Sequence, residues 1–298
     1  MRKSAGRPEP CRTLGRVVAL SLAISAGLAA QPAAVEPDAL IRQAFGRLYN
    51  FDFRGAHQLV DRHMSQNAAD PLGPAVRAAA YLFSELSRLR ILEFDFFMDD
   101  DKFVDRRKLT PDPAIRQAFF QAISDSERLA QVRVAANPDD REGLFALCMT
   151  TGLVTDFAVL VERRRFGSYS LSKRNQVYAR KLLAFSPPVY DAYTTVGTVE
   201  YVVGSLPFFL RWLVRFDQIK GSKEKAAAEL QLVAEHGRYY GPLARIMLTV
   251  IHMREKRPAE AEKLLEELVH DFPENPLFRR ELERVGKLAN PAQAGTRP

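Results

Sequence analysis

Residues 242–276, PLARIMLTVIHMREKRPAEAEKLLEELVHDFPENP, decide the fold class of this chain. They contain two runs of apolar residues at helical spacing. The members of the two runs are Leu243, Ile246, Met247, Val250 and Ile251, then Ala261, Leu264, Leu265 and Leu268. The sequence KRP at 256–258 forms a turn between the runs, and Pro273 stops the second helix. The stretch therefore predicts one helical hairpin, with 34 residues between Pro242 and the next helix start at Pro276.

Turns that contain proline divide the rest of the chain in a similar way. They lie at Asp70-Pro71, Asn137-Pro138, Pro187-Pro188, Gly241-Pro242 and Asn275-Pro276. No stretch shows the convincing alternation of a β-strand. The earlier intervals are longer than 34 residues, so the earlier hairpins contain longer helices or insertions. The pattern predicts five degenerate helical hairpins.

Internal matches support repetition among these hairpins. The sequence ARKLL at 179–183 parallels AEKLL at 261–265, and Ala56 and Val60 take the places of Ala261 and Leu265. The second hairpin is predicted to pair two helices of about 23 residues, at 75–97 and 114–136, each about 35 Å long. The fourth carries an inserted segment, SLPFFLRWLVRFDQIKG, between its two helices.

A small residue, a large apolar residue one turn later and a terminating proline form the packing pattern of a tetratricopeptide repeat. In the last hairpin these are Ala261, Leu265 and Pro273. The chain resembles the tetratricopeptide repeat family on these residues. The resemblance implies an all-α, right-handed α-solenoid of about five TPR-like hairpins over residues 38–288, and binding of a protein or peptide partner.

Within roughly 190–278 the chain also resembles the C-terminal part of the tetratricopeptide repeat protein 39 family. The similarity rests on GSLP at 204–207, an apolar helix to Phe216, a GSK turn at 221–223, an alanine-rich helix to Gly237 and the closing hairpin. An export signal, which that family does not share, precedes these features. The resemblance supports the fold more than a cellular role.

The N-terminus has the pattern of a secretory signal peptide. Basic residues at positions 2, 3, 7, 12 and 16 precede an apolar run of 14 residues at 17–30. This run is shorter than the roughly 20 residues of a membrane span, although an uncleaved anchor remains an alternative. We predict a signal peptide at 1–30, a linker at 31–37 and a disordered tail at 289–298. The mature chain is then exported to a bacterial periplasm or secreted.

The charge of the mature chain gives little reason to expect nucleic acid as a partner. The formal net charge is +7, and it falls to about +3 without residues 1–30. Cys148 is then the sole cysteine, so no internal disulfide forms, and the sequence LFALCMT predicts a buried helical thiol.

Three clusters have both a structural and a functional interpretation. The first is acidic, and a solvated loop is favoured over a cation site. The second is basic, and a helix end is favoured over an acidic partner or anionic lipid. The third is an apolar helix at 208–216 with Trp212, and internal packing is favoured over peripheral membrane contact. The acidic and basic members are Asp95, Asp99, Asp100, Asp101 and Asp105, then Arg163, Arg164, Arg165, Lys173 and Arg174.

We predict no enzyme, no cofactor and no metal site. The chain lacks a His-Glu-x-x-His pair, a Gly-x-Ser-x-Gly elbow, a phosphate-binding loop and a dinucleotide fingerprint. His57 and His63 are interpreted as surface residues.

The favoured hypothesis is an exported scaffold whose curved groove binds a protein or peptide. A periplasmic accessory protein that binds a small or lipid-like ligand for a transport system is the alternative. Tyr49, Tyr193, Tyr201 and Arg254 either face the groove, belong to the core or lie on the convex face.

Overall fold

The computed structural model describes residues 37–98, 109–162, 168–205 and 221–289. Every regular element in these ranges is helical. The helices are α1 (Pro37–Tyr49), α2 (Phe53–Gln66), α3 (Leu72–Arg88), α4 (Phe94–Met98), α5 (Pro113–Ala136), α6 (Arg141–Asp156), α7 (Ser168–Leu183), α8 (Tyr193–Ser205), α9 (Lys223–His236), α10 (Gly241–Arg254), α11 (Pro258–Asp271) and α12 (Pro276–Ala289). A π-helical turn, Phe157–Val161, continues α6, and a 3-10 turn, Tyr190–Ala192, precedes α8. The predicted signal peptide, the apolar helix at 208–216 and the tail from 290 onward lie outside the described residues.

Consecutive helices pack against one another along the chain. Hairpins form from α1 and α2, α3 and α5, α6 and α7, α8 and α9, and α10 and α11, and each hairpin contacts the next. Helix α12 packs on α11 at the end of the array. The predicted all-α helical repeat solenoid is therefore confirmed, with its hairpins bounded by the predicted proline-containing turns.

The second helices of three hairpins bury the same pair of residue types. An alanine and a larger apolar residue one turn later are fully buried in α2, α9 and α11, where burial of the larger side chain contributes about 1.5–3 kcal/mol. The pairs are Ala56 and Val60, Ala226 and Leu230, and Ala261 and Leu265. In α7 the buried pair is Ala179 and Leu182, while Leu183 is half-buried. The match between 179–183 and 261–265 is therefore offset by one residue at the large position.

The predicted continuous helix over 75–97 is wrong. Helix α3 ends at Arg88, and Arg90 adopts a left-handed backbone conformation with φ 56°. The amide of Ile91 donates to the carbonyl of Leu86 (2.8 Å) and that of Arg90 to the carbonyl of Ser87 (3.0 Å), which is the Schellman pattern. The bend turns the chain so that Ile91 and the aromatic residues of α4 enter the core.

Helices α1 and α10 end in the same way as α3. Phe51 and Lys256 have φ values of 63° and 58°. The amides of Asp52 and Arg257 donate across the helix ends to the carbonyls five residues earlier, at 2.9 and 2.8 Å. None of these left-handed positions carries glycine, so the sequence contains no obvious signal for them.

The first helix contacts the turns before and after the last hairpin, so the two ends of the array meet. The hydroxyl of Tyr49 donates to the carbonyl of Tyr239 (3.1 Å), and the side-chain amide of Asn275 donates to the carbonyl of Tyr49 (2.7 Å). The ring of Phe45 stacks on Tyr239 with a centroid distance of 5.1 Å, and the rings of Tyr49 and Phe272 lie 5.3 Å apart. We call α1 together with residues 238–240 and 272–275 the closing interface.

One helix in the described part of the chain has the length and hydropathy of a membrane span. It covers Arg141–Val161, with a mean hydropathy of 2.0. About two thirds, 67%, of the apolar stretch of this helix is buried inside the fold, and the residues of the helix form much of the core. Core helices of water-soluble proteins have the same features, so the helix is weak evidence for membrane insertion.

Candidate functional site

Two turns between hairpins share the sequence pattern Asn-x-x-Asp. Asn67 and Asn137 end α2 and α5, and Asp70 and Asp140 follow three residues later. Asp140 is the N-cap of α6 and accepts the amide of Gly143 (2.6 Å), whereas Asp70 lies one residue before the N-cap of α3 and accepts the amide of residue 72 (2.9 Å). These contacts are local, since donor and acceptor lie within three residues.

A side chain from the preceding helix holds each of these aspartates. His63 lies 2.7 Å from Asp70, and Arg133 binds both oxygens of Asp140 at 2.9 and 3.0 Å. The interpretation of His63 as a surface residue is wrong, because the side chain is buried and continues the stripe of Ala56 and Val60. His57, by contrast, is half-buried.

The turn at 237–240 lacks a capping side chain of its own. Tyr240 occupies the capping position before α10. The carboxylate of Asp191, in the neighbouring 3-10 turn, accepts the backbone amides of Arg238 (2.8 Å), Tyr239 (2.8 Å) and Tyr240 (2.6 Å) instead. A remote aspartate therefore satisfies the backbone amides of the turn that leads into this helix.

The pKa values of Asp191 and Asp140 shift in opposite directions. Burial raises the pKa of Asp191, and the three amide donors only partly offset this effect. Burial also favours a higher pKa for Asp140, but the hydrogen bonds from Arg133 and the Gly143 amide and the charge of Arg133 outweigh it, so the pKa of Asp140 is lowered. The remote aspartate, Asp191, is thus more desolvated than Asp140.

A cleft of about 210 Å³ lies where four turns between hairpins meet. Its lining combines apolar or aromatic side chains with charged ones. The residues are Leu72, Arg141, Glu142, Phe145, Pro188, Val189, Tyr190, Asp191, His236, Arg238 and Tyr239. We call this site the turn cleft. The closing interface forms one of its walls, because Phe145 stacks on Tyr239 with a centroid distance of 5.6 Å.

Most charges around the turn cleft already have a partner. Arg238 binds Asp38 of α1 through Nε (3.0 Å) and Nη2 (2.9 Å). Glu142 lies 3.0 Å from Arg133. Arg141 differs, because its guanidinium donates to a backbone carbonyl, that of Ser186 (3.2 Å).

A second depression lies on α5 beside Arg116, Gln117, Phe120 and Gln121, with a volume of about 510 Å³. All four residues belong to one helix face, so the depression is open and shallow. Arg116 is already engaged, since it binds Glu162 (2.8 Å) and lies over the ring of Phe120 (4.8 Å). We therefore take the turn cleft, built from four turns, as the candidate site.

The four residues considered for the groove, the core or the convex face lie in different parts of the fold. Tyr49 is buried in the closing interface, where burial raises the pKa of its hydroxyl. Arg254 donates to the carbonyl of Phe97 (2.8 Å) and so ties α10 to α4. Tyr193 and Tyr201 are half-buried against a smaller core cluster around α9 and α10. The structure does not bring these four residues together.

Cys148 is buried as predicted. Its thiol donates to the amide oxygen of Asn175 (3.1 Å), and burial raises its pKa to about 12. The hydrogen bond adds a polar contact that the sequence did not indicate.

The predicted charged clusters lie largely outside the described ranges. Of the acidic cluster, Asp95 is described, and it pairs with Arg284 of α12. Of the basic cluster, Lys173 and Arg174 are described, and Arg174 lies 3.7 Å from Glu127. Within the described ranges, no three histidine, cysteine or acidic side chains are arranged to hold a metal ion.

No protein-family model and no curated protein matches the chain. The resemblances to the tetratricopeptide repeat family and to the protein 39 family therefore rest on residue spacing, and they stay predictions. The fold itself rests on the helix contacts described above.

Sequence reasoning missed the residues that build the turn cleft. Arg141, Asp191 and Arg238 are charged residues in or beside turns, and such residues are usually only solvated. The signal that was available is the absence of Asp, Asn, Ser or Thr at position 240, where the turn before α6 carries Asp140.

Proposed function

We propose that this protein is an exported, non-enzymatic helical-repeat scaffold that binds a protein or peptide partner. The turn cleft carries the proposal, because side chains from four separate turns surround one cavity. Repeat stacking places equivalent turns side by side, and a partner bound across them contacts several hairpins at once.

The size of the cleft favours a polypeptide partner over the alternative ligand. Sites for small molecules usually have volumes of about 300–1,000 Å³. The cleft, at about 210 Å³, is smaller and suits one inserted side chain. A periplasmic accessory protein that carries a small or lipid-like ligand for a transport system needs a larger, more enclosed apolar site.

Export and the lack of enzymatic activity rest on the sequence. The basic and apolar pattern of residues 1–30 supports export to the periplasm or beyond. The absence of recognisable catalytic motifs supports a binding role. Peripheral membrane contact through residues 208–216 is not needed for this function.

Native mass spectrometry tests the proposal on the chain purified from its own exported fraction under mild conditions. We expect an additional polypeptide mass bound to the chain. A bound lipid or small molecule in its place would favour the ligand-carrying alternative, and a monomer without any bound species would count against the scaffold.

A further inference from the structure

We propose that the turn cleft recognises an acidic peptide segment with one apolar side chain, and that Arg141 selects the acidic sequence. The inference rests on the proposed function and names the chemistry of its partner. The apolar side chain enters the cavity, while carboxylates beside it bind the guanidinium at the rim.

The cavity has the size and lining for one apolar side chain. Its volume of about 210 Å³ corresponds to about seven water molecules at about 30 Å³ each. Tyr190 packs against His236 on one side, with ring centroids 4.9 Å apart, and Phe145 packs against Tyr239 on the other. An apolar side chain that displaces water from between these rings gains the hydrophobic contribution to binding.

Two arginines line the cavity, and Arg141 is the one without an ionic partner in the described ranges. Asp191 is satisfied by three backbone amides, and Arg238 and Glu142 have ionic partners of their own. His236 is half exposed and lies 3.8 Å from Glu235. Within the described part of the chain, no carboxylate pairs with Arg141.

Arg141 is also held in place before any partner binds. Its guanidinium lies 4.5 Å from the ring centroid of Phe185 and donates to the carbonyl of Ser186 (3.2 Å). These contacts occupy one edge and one face of a planar group with five N–H donors, so other donors remain for a carboxylate. A pre-positioned arginine loses little conformational entropy when it binds an anion.

Synthetic peptides test the proposal by fluorescence anisotropy. The probe is fluorescein-labelled GSDDLDDSG with an amidated C-terminus, and the controls are GSDDSDDSG and GSKKLKKSG. We expect binding of the probe to the exported chain, and at least about 10-fold weaker binding of each control peptide, from loss of the apolar anchor or of the carboxylates. Binding of the probe is expected to weaken between low and high salt.

Variants of the rim separate Arg141 from general charge effects. Arg141→Ala and Arg141→Gln are each expected to weaken probe binding by about 10-fold or more, and Arg141→Lys by about 3-fold, because lysine keeps the charge but loses the planar donors. Arg128→Ala, at an exposed position in α5, is the matched control and is expected to leave binding unchanged. Circular dichroism checks that each variant folds.

Several results would overturn the proposal. They are no binding of the probe, equal binding of the lysine peptide, or wild-type affinity in folded Arg141→Ala and Arg141→Gln. If the probe binds clearly more tightly with a free C-terminal carboxylate than with the amide, the recognised group is a chain terminus and not an internal acidic segment. A native partner that Arg141→Gln retains would overturn the cleft assignment alone, whereas probe binding without any native partner would count against the scaffold function alone.

Discussion

The turn at 137–140 and the turn at 237–240 join consecutive hairpins at equivalent places, yet the aspartates that bind the backbone amides there differ in origin. Asp140 caps α6 from within its own turn, and Arg133 of the preceding helix holds it. At the second turn Asp191, from a different turn, supplies the acceptor. Because the acceptor, Asp191, lies outside this turn, positions 239 and 240 are free to carry tyrosines. These tyrosines pack against Phe45 and Phe145. An acceptor from outside the turn thus allows the turn to contribute aromatic side chains to the core.

The largest expected effect separates the remote acceptor, Asp191, from the local cap, Asp140. Asp191→Ala removes one acceptor from three amide donors, and each buried donor left unpaired costs about 1–3 kcal/mol. We expect the free energy of unfolding to fall by about 3–5 kcal/mol, measured by urea denaturation. Asp140→Ala is the matched control, with an expected loss of about 1–2 kcal/mol. Equal losses would contradict the distinction between the two turns.

A smaller effect concerns the pH dependence of stability. The pKa of Asp191 is raised in the folded state, so the stability that its protonated form contributes is lost as pH rises above about 4 and through the folded pKa. The pKa of Asp140 is lowered, so its contribution is present above about 4 and is lost as pH falls through the folded pKa. Urea denaturation of Asp191→Asn and Asp140→Asn between pH 3 and 8 is expected to show differences from wild type with opposite slopes. Slopes of the same sign would refute this assignment.

Tyr49→Phe tests the hydrogen bonding of the closing interface with little change in shape. The variant loses the bond from the Tyr49 hydroxyl to the carbonyl of Tyr239, and we expect a loss of about 1 kcal/mol in the free energy of unfolding. Tyr178→Phe, at a half-buried position in α7 outside the closing interface, is the control, with an expected change near zero. A silent Tyr49→Phe would mean that this hydroxyl contributes little and that the other contacts of α1 hold it in place.

The smallest expected effect is a gain in stability at a third turn. Lys256 adopts a left-handed conformation at the end of α10, which glycine tolerates better than lysine. Lys256→Gly is therefore expected to stabilise the fold by about 0.5–1 kcal/mol. Lys263→Gly, inside α11, is expected to destabilise the fold by about 1 kcal/mol. The backbone there is helical, and glycine has a poor helix propensity. Thermal denaturation of the pair distinguishes the two positions, and destabilisation by both would disprove the benefit at position 256.

The sequence predicted the parts of the fold that depend on patterns of residues close together in the chain. Prolines at hairpin boundaries and alanine–large pairs such as Ala261 and Leu265 act over a few residues, so periodicity reveals them. The break after Arg88 escaped prediction because Arg90 is not a residue type associated with left-handed backbone.

The candidate site escaped prediction for a different reason. It depends on contacts between turns that are far apart in the chain, such as that of Asp191 with residues 238–240. A tyrosine at a capping position has no periodic signature, and an arginine such as Arg141 resembles any solvated charge. Only the assembled fold shows that Arg141 borders a cavity.

The closing interface has a consequence for how the chain folds. The hydrogen bond between Asn275 and Tyr49 joins positions 226 residues apart. Helix α1 is synthesised first, yet its contacts are completed only when the last hairpin has formed. Such distant contacts carry a larger loop-closure cost than the contacts between immediate neighbours that stabilise open repeat arrays. We expect the chain to depend on both ends for cooperative folding, so that loss of the last hairpin exposes the apolar side chains of the first.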